Sequence, residues 1–222
     1  MPGTRNSGLL ALGGIALAAV LAVLGHLEVS DDLNPWSLTV SDFAVSDRGG
    51  VIDTAMAVLA AATVVLLPAL RRAGAGRLAG TLLVAWSAGL LAAAVVPTNE
   101  PGLPMDTAAY LHRYASVVAF LALPVAGWLL ARPLGGRAAG WLRGLALTSL
   151  LLAAAMVWSA YPGDRLLIGL AERVLILAEV ALLAVVAAAL AGRRVGGVAV
   201  PRGWEHRPLA EVAREVTPAR GA

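Results

Sequence analysis

Residues 169–183 read GLAERVLILAEVALL, a run apolar enough to cross a bilayer that nevertheless carries Glu172, Arg173 and Glu179. Ionisable side chains are costly in hydrocarbon, so such a helix must turn these groups toward other protein segments. The surrounding sequence supplies those segments. Hydrophobic residues make up 59% of the 222 residues and charged residues only 14%, with a mean hydropathy of +0.79. Water-soluble domains carry roughly a quarter charged residues, so an ordinary soluble chain is excluded.

The apolar residues fall into blocks of about 20, the length that spans a hydrocarbon core of about 30 Å at 1.5 Å per residue. The blocks are 7–27, 51–70, 77–96, 107–131, 138–160 and 166–191. Ala and Leu dominate them without period-2 alternation, which points to helices rather than barrel strands. The expected fold is all-α: a polytopic membrane bundle of six transmembrane helices over residues 1–191, followed by a basic tail, 192–222. Within the tail, PLAEVAREV (208–216) places Leu209, Val212, Ala213 and Val216 on one face of a short interfacial helix. The first block is longer than the ~7–15-residue core of a signal peptide and is expected to be retained.

Topology follows the arginines, which are enriched on cytoplasmic loops. With the N-terminus inside, Arg5, Arg71, Arg72, Arg77, Arg132, Arg137, Arg143 and the tail arginines are cytoplasmic, whereas Arg48, Arg113, Arg165 and Arg173 lie toward the outer face. Asp42, Asp47, Asp53, Asp106 and Glu172 fall on the outer side. The expectation is a multi-pass plasma-membrane protein with both termini cytoplasmic. Its basic residues then serve as topology signals and anchors for anionic lipids, not as a nucleic-acid surface. All 17 basic residues are Arg, a codon-supply signature of a high-GC genome such as an actinobacterium.

No cysteine occurs, which excludes disulfides and thiolate metal sites. His26 and His112 alone make a weak metal or haem signal, and no metal or other cofactor is expected. The first outer loop, HLEVSDDLNPWSLTVSDFAVSDRGG (26–50), alternates Trp36, Leu38 and Val40, then Phe43 and Val45, as a short strand or extended segment on the bundle would. Ser46 or Asp47 is the expected cap of the following helix, with Asp53 in its first turns, where the helix dipole favours an acid. PTNEPGLPMD (97–106) has three prolines and is expected to be irregular, with Asp106 capping the next helix.

Glu172 and Glu179 are seven residues apart and share one helix face, two turns apart. Glu179 falls near the bilayer midplane, where an ionised carboxylate costs at least ~2.5–3.5 kcal/mol. It is expected to be neutral and hydrogen-bonded to a neighbouring helix, with Thr63, Ser87 and Thr148 as candidates, either as a polar staple or as a proton- or substrate-coupled site. Nearer the outer face, Asp53, His112, Arg113, Glu172 and Arg173 lie at similar depth. The plainer reading is an Arg113–Glu172 or Arg173–Asp pair between helices. The functional reading leaves an arginine free for an anionic group such as a lipid phosphate, with His112 in the same hydrogen-bonded cluster.

NPWSLTVSDFAVSDRGG after the first helix, VVPTNEPGLPMDTAAYLHRYAS between the third and fourth, and YPGDRLLIGLAERVLIL entering the sixth resemble domain-of-unknown-function family 998. The resemblance covers roughly residues 8–191. It implies a six-helix membrane protein and draws attention to Ser41, Asp42, His112, Glu172 and Arg173 without supplying a reaction. The outer loops here are richer in acids than the family pattern.

Three functions compete. The first is a non-enzymatic binder or accessory protein whose outer-side polar cluster holds a membrane lipid, an anionic lipid or another amphiphile. The second is an intramembrane enzyme using His112 with Asp42, Asp53 or Asp106 on a lipid-linked substrate. No nucleophile motif, metal triad or phosphate loop supports it. The third is a small transporter relaying protons through Glu179, which the absence of an inverted repeat disfavours. Pro68 and Pro124 are expected near helix ends.

Overall fold

The computed structural model describes residues 3–29, 33–46, 50–100 and 103–193. Over these residues all regular secondary structure is helical: α1 (Thr4–Val29), α2 (Val40–Ser46), α3 (Val51–Arg72), α4 (Arg77–Val95), α5 (Thr107–Leu134), α6 (Gly136–Ala160) and α7 (Ile168–Ala191). Every helix except α2 is long and apolar enough to cross a membrane. The protein is a multi-pass helical membrane protein. The segment at 208–216 and Asp47 lie outside the described residues.

Short connections force successive spans to run antiparallel as neighbours. The six spans close a ring in chain order: α1 packs on α3, α3 on α4, α4 on α5, α5 on α6, α6 on α7, and α7 back on α1. α7 also touches α5 and α3 across the ring, so it is the most central span, whereas α6 packs only on α5 and α7. Packing between spans relies on close backbone approach rather than on escape from water. At the α1–α7 crossing, a Cβ on Gly8 would lie 2.5 Å from the Ala187 carbonyl oxygen, so only glycine permits that contact.

The large buried side chains Leu66, Leu83, Leu123, Leu130, Leu182 and Leu190 belong to one cluster, toward the end that carries Arg71, Arg77 and Arg132. The other half of the ring is not filled this way, and that asymmetry creates the site described below.

The first long connection departs from the extended reading of its alternating apolar residues: residues 40–46 form α2. The Thr39 hydroxyl accepts from the Asp42 amide at 3.2 Å and the Asp42 carboxylate accepts from the Thr39 amide at 2.8 Å. This reciprocal capping box starts a helix. The cap of α3 is not Ser46. Ser46 ends α2, and Gly50 in a left-handed conformation (φ 62°) is the N-cap. Asp53 does fall in the first turn of α3, and Asp106 caps α5 by accepting from the Ala109 amide at 2.8 Å. Pro124 is interior to α5, not near its end. Lacking an N–H, it leaves the Phe120 carbonyl without its i+4 donor.

Candidate functional site

At the end of the ring opposite the packed core, residues 34–46 lie over the bundle as a roof. Asn34 shapes its start, accepting the Trp36 amide on its side chain at 3.0 Å and the Leu38 amide on its carbonyl at 3.1 Å. The capping box then launches α2, which drives Phe43 into the bundle, where it is 1% exposed.

Nearly every polar anchor of this roof lies on or just before α7. The Gly169 amide donates to the Trp36 carbonyl at 3.1 Å. Glu172 Oε2 accepts from the Val40 amide at 2.5 Å. Arg173 Nη1 reaches the carbonyls of Pro35 and Leu38, each at 2.8 Å, and that of Gly169 at 3.0 Å. Its guanidinium carbon sits 4.7 Å from the centre of the Phe43 ring, a cation–π contact. His26 of α1 stacks on the same ring, with centroids 5.2 Å apart. Close approach is possible because residue 169 is glycine: a Cβ there would meet the Leu38 carbonyl oxygen at 2.1 Å.

The α6–α7 turn adds one ion pair, Arg165 to Asp42 at 3.2 Å. Asp164, Arg165 and Leu167 all adopt left-handed backbone (φ 49°, 61° and 56°), a conformation that costs a non-glycine residue about 1–3 kcal/mol. The turn is held by the Arg165 amide on the Ser159 carbonyl at 2.8 Å and by the Ser159 hydroxyl donating to the Leu166 carbonyl. Its geometry delivers the Arg165 side chain to Asp42.

Beneath the roof is a cavity of about 250 Å³, far larger than the ~30 Å³ a water molecule occupies in the liquid. Its walls come from every helix except α6 and are mainly apolar, with Ile15, Met56, Leu90, Phe120, Ile176 and Val180 among them. Polar groups enter at two levels. Near the roof are Ser41, His112, Ser116 and Glu172; at the floor, against the packed core, are Trp86 and Glu179. His112 Nδ1 bonds the Val96 carbonyl at 2.8 Å. A carbonyl only accepts, so Nδ1 carries a proton and Nε2 is left facing the rest of the site. Glu179 is 4% exposed. Its Oε2 accepts from the Trp86 indole N–H at 3.4 Å, and its Oε1 has no hydrogen-bond partner among the described residues.

The family model described as "Protein of unknown function (DUF998)" matches residues 11–189. The chain belongs to this family. No curated protein and no solved structure matches it. The matched span begins within α1 and ends within α7, so roof, cavity and floor all belong to the DUF998 domain.

Of the residues singled out in sequence, this DUF998 structure brings Asp42, Glu172 and Arg173 together at the roof and places Ser41, His112, Glu172 and Glu179 around the cavity. The anticipated pairings are different in kind. Arg113 is exposed and stands apart from Glu172, whose partner is a backbone amide. Arg173 holds backbone carbonyls rather than an aspartate. Asp53 sits half-buried in the first turn of α3, outside the cavity lining. His112 hydrogen-bonds a carbonyl rather than Asp42 or Asp106. Glu179 meets Trp86, not Thr63, Ser87 or Thr148: Thr63 bonds its own helix at Leu59, Ser87 Oγ has no partner among the described residues, and Thr148 is exposed. Among the described residues no group of three or more His, Asp or Glu side chains converges as a metal site.

Sequence reasoning missed Phe43, Arg165 and Trp86. Trp86 did leave a signal. Tryptophans of membrane proteins favour the interfaces, so one in the middle of a span, at the depth of a lone carboxyl, is marked as facing inward.

Proposed function

We propose that the protein is a non-enzymatic binder of a membrane lipid or other amphiphile, taken into the roofed cavity between α1, α3, α4, α5 and α7. The observation that carries this reading is the cavity itself: an apolar chamber with a few polar groups in its lining, the usual composition of a small-molecule site. An enzyme reading lacks support from His112, whose ring is oriented by a carbonyl and not by an acid.

In this reading the roof faces outward from the plasma membrane, and the arginine-rich end, with both termini, faces the cytoplasm. A groove of about 470 Å³ at that end, lined by Arg71, Arg77 and Thr81 together with Leu67 and Val84, suits the anionic lipids of an inner leaflet. Exposed Arg113 offers an anionic headgroup a cation on the roof side.

The test is native mass spectrometry of the detergent-purified protein beside an Ala22→Leu/Ala55→Leu variant, in which added methyl groups occupy cavity wall positions. A defined bound species that disappears from the variant supports the reading. Identical, heterogeneous lipid in both proteins overturns it.

A further inference from the structure

The cavity's hydrogen-bonding capacity is one-sided. The Trp86 indole N–H is already spent on Glu179 Oε2, and the Ser116 hydroxyl donates to the His112 carbonyl at 3.0 Å. Ser41 shares its hydroxyl with Thr39 at 3.3 Å. The one lining atom left without a partner among the described residues is Glu179 Oε1, which accepts only once the carboxyl gives up its proton, as it does beside a cation. No arginine is among the lining residues, and the chain has no lysine.

A buried acceptor left unmatched keeps the full penalty of its lost hydration. The methyl end of an ordinary acyl chain, lying against Glu179, would leave that cost in place. An anionic or purely accepting group would add repulsion to it. Only a donor removes it, and a positively charged donor does so with a charge-assisted hydrogen bond, roughly twice as strong as a neutral one. The charge also answers the question raised by a carboxyl at mid-membrane depth. A cation arriving with the ligand supplies the counter-charge that none of the lining residues provides.

Building on the binder reading above, we infer that the cavity takes an amine-bearing amphiphile, an organic cation with an apolar body whose ammonium group hydrogen-bonds Glu179 Oε1 at the floor. Glu172, one level higher, gives the ammonium an acceptor on its way in and fits a second donor on a longer ligand. Selectivity runs amine over alcohol over carboxylate, and Glu179 sets it.

Three probes of one chain length isolate the head group: dodecylamine, dodecanol and dodecanoate. Each is titrated into purified protein in a neutral maltoside detergent, with binding read by native mass spectrometry and by the rise in unfolding temperature that a native-state ligand produces. Dodecylamine is expected to bind wild type about tenfold more tightly than dodecanol, the ratio that 1.4 kcal/mol provides. Dodecanoate is expected to be weakest. In Glu179→Gln, which keeps an acceptor for Trp86, the amine preference should collapse while dodecanol binding persists. Should that variant fail to fold, Glu179→Asp serves, and a weakened amine preference is again expected.

Dodecanol matching dodecylamine in wild type, or an amine preference unchanged in the variants, overturns the inference and leaves the binder reading standing. Saturable binding of none of the three, or equal binding to the Ala22→Leu/Ala55→Leu variant, overturns the binder reading itself.

Discussion

The Val40 amide and the Glu172 carboxylate are 132 positions apart in sequence and 2.5 Å apart in space. Through this bond a side chain on the most central span holds the first turn of the roof helix, and the roof's position becomes a property of α7.

Glu172→Ala should therefore loosen α2. Its amide at Val40 loses its acceptor, a loss worth about 1–3 kcal/mol when the group stays out of water. Hydrogen–deuterium exchange at residues 38–46 should accelerate, with exchange in α4 and α6 unchanged. Glu172→Gln, which keeps a carbonyl oxygen, should restore most of the protection. Arg165→Ala makes a useful contrast. Its partner is Asp42, but the Arg165 side chain is 48% exposed, so its loss should cost no more than about 1 kcal/mol. Protection of 38–46 comparable in Glu172→Ala and wild type would show that the buried Phe43 and the Arg173 and Gly169 hydrogen bonds seat the roof without Glu172.

Gly169→Ala tests the same seat by steric means. The added methyl would collide with the Leu38 and Pro35 carbonyl oxygens, at 2.1 and 2.5 Å, the two groups that Arg173 holds. Either the roof lifts or α7 shifts, at a cost of about 1–3 kcal/mol typical of overpacking. A lowered unfolding temperature together with faster exchange at 35–46 is expected. An unchanged melting curve would mean that the roof backbone gives way freely.

At the floor, Glu179→Leu should destabilise, because it strands the Trp86 indole N–H in an apolar surround. Adding Trp86→Phe should recover much of the loss, since replacing both partners of a buried polar pair is far milder than removing one. The double-mutant cycle should give a coupling of about 0.5–3 kcal/mol, read from denaturation in detergent. Strictly additive losses would show that the 3.4 Å contact contributes nothing.

Topology is open to direct labelling because the chain contains no cysteine. Thr98→Cys, in the α4–α5 connection, should react with a membrane-impermeant maleimide on intact cells. Ala73→Cys, between α3 and α4, should react only after permeabilisation. The reverse pattern would invert the orientation proposed here.

The spans were readable because hydrocarbon thickness imposes a length of about 20 apolar residues, a constraint that acts on every block independently. The roof was not, because its apolar alternation (Trp36, Leu38, Val40) mimics a strand, whereas the deciding signal is the Thr39–Asp42 capping box. The polar residues of the site were identifiable by depth alone: Glu172 and Glu179 share a face of one helix, and the structure puts both on the cavity. Their partners were hidden for a physical reason. Glu172 and Arg173 bind backbone amides and carbonyls, groups that every residue has and that no sequence pattern advertises. Trp86 was less legible than the hydroxyls because an indole is mostly apolar surface with a single N–H.

The dependence of the roof on α7 has a consequence for how the chain is made. Segment 34–46 leaves the ribosome long before residues 165–173, and until they arrive the Val40 amide and the Pro35 and Leu38 carbonyls must find their hydrogen bonds in water at the membrane surface. The earlier spans can assemble only an open cleft, with neither a latched cover nor a carboxyl at its base. Insertion of α7 supplies both at once, so the finished chamber comes into being in a single late step of biosynthesis.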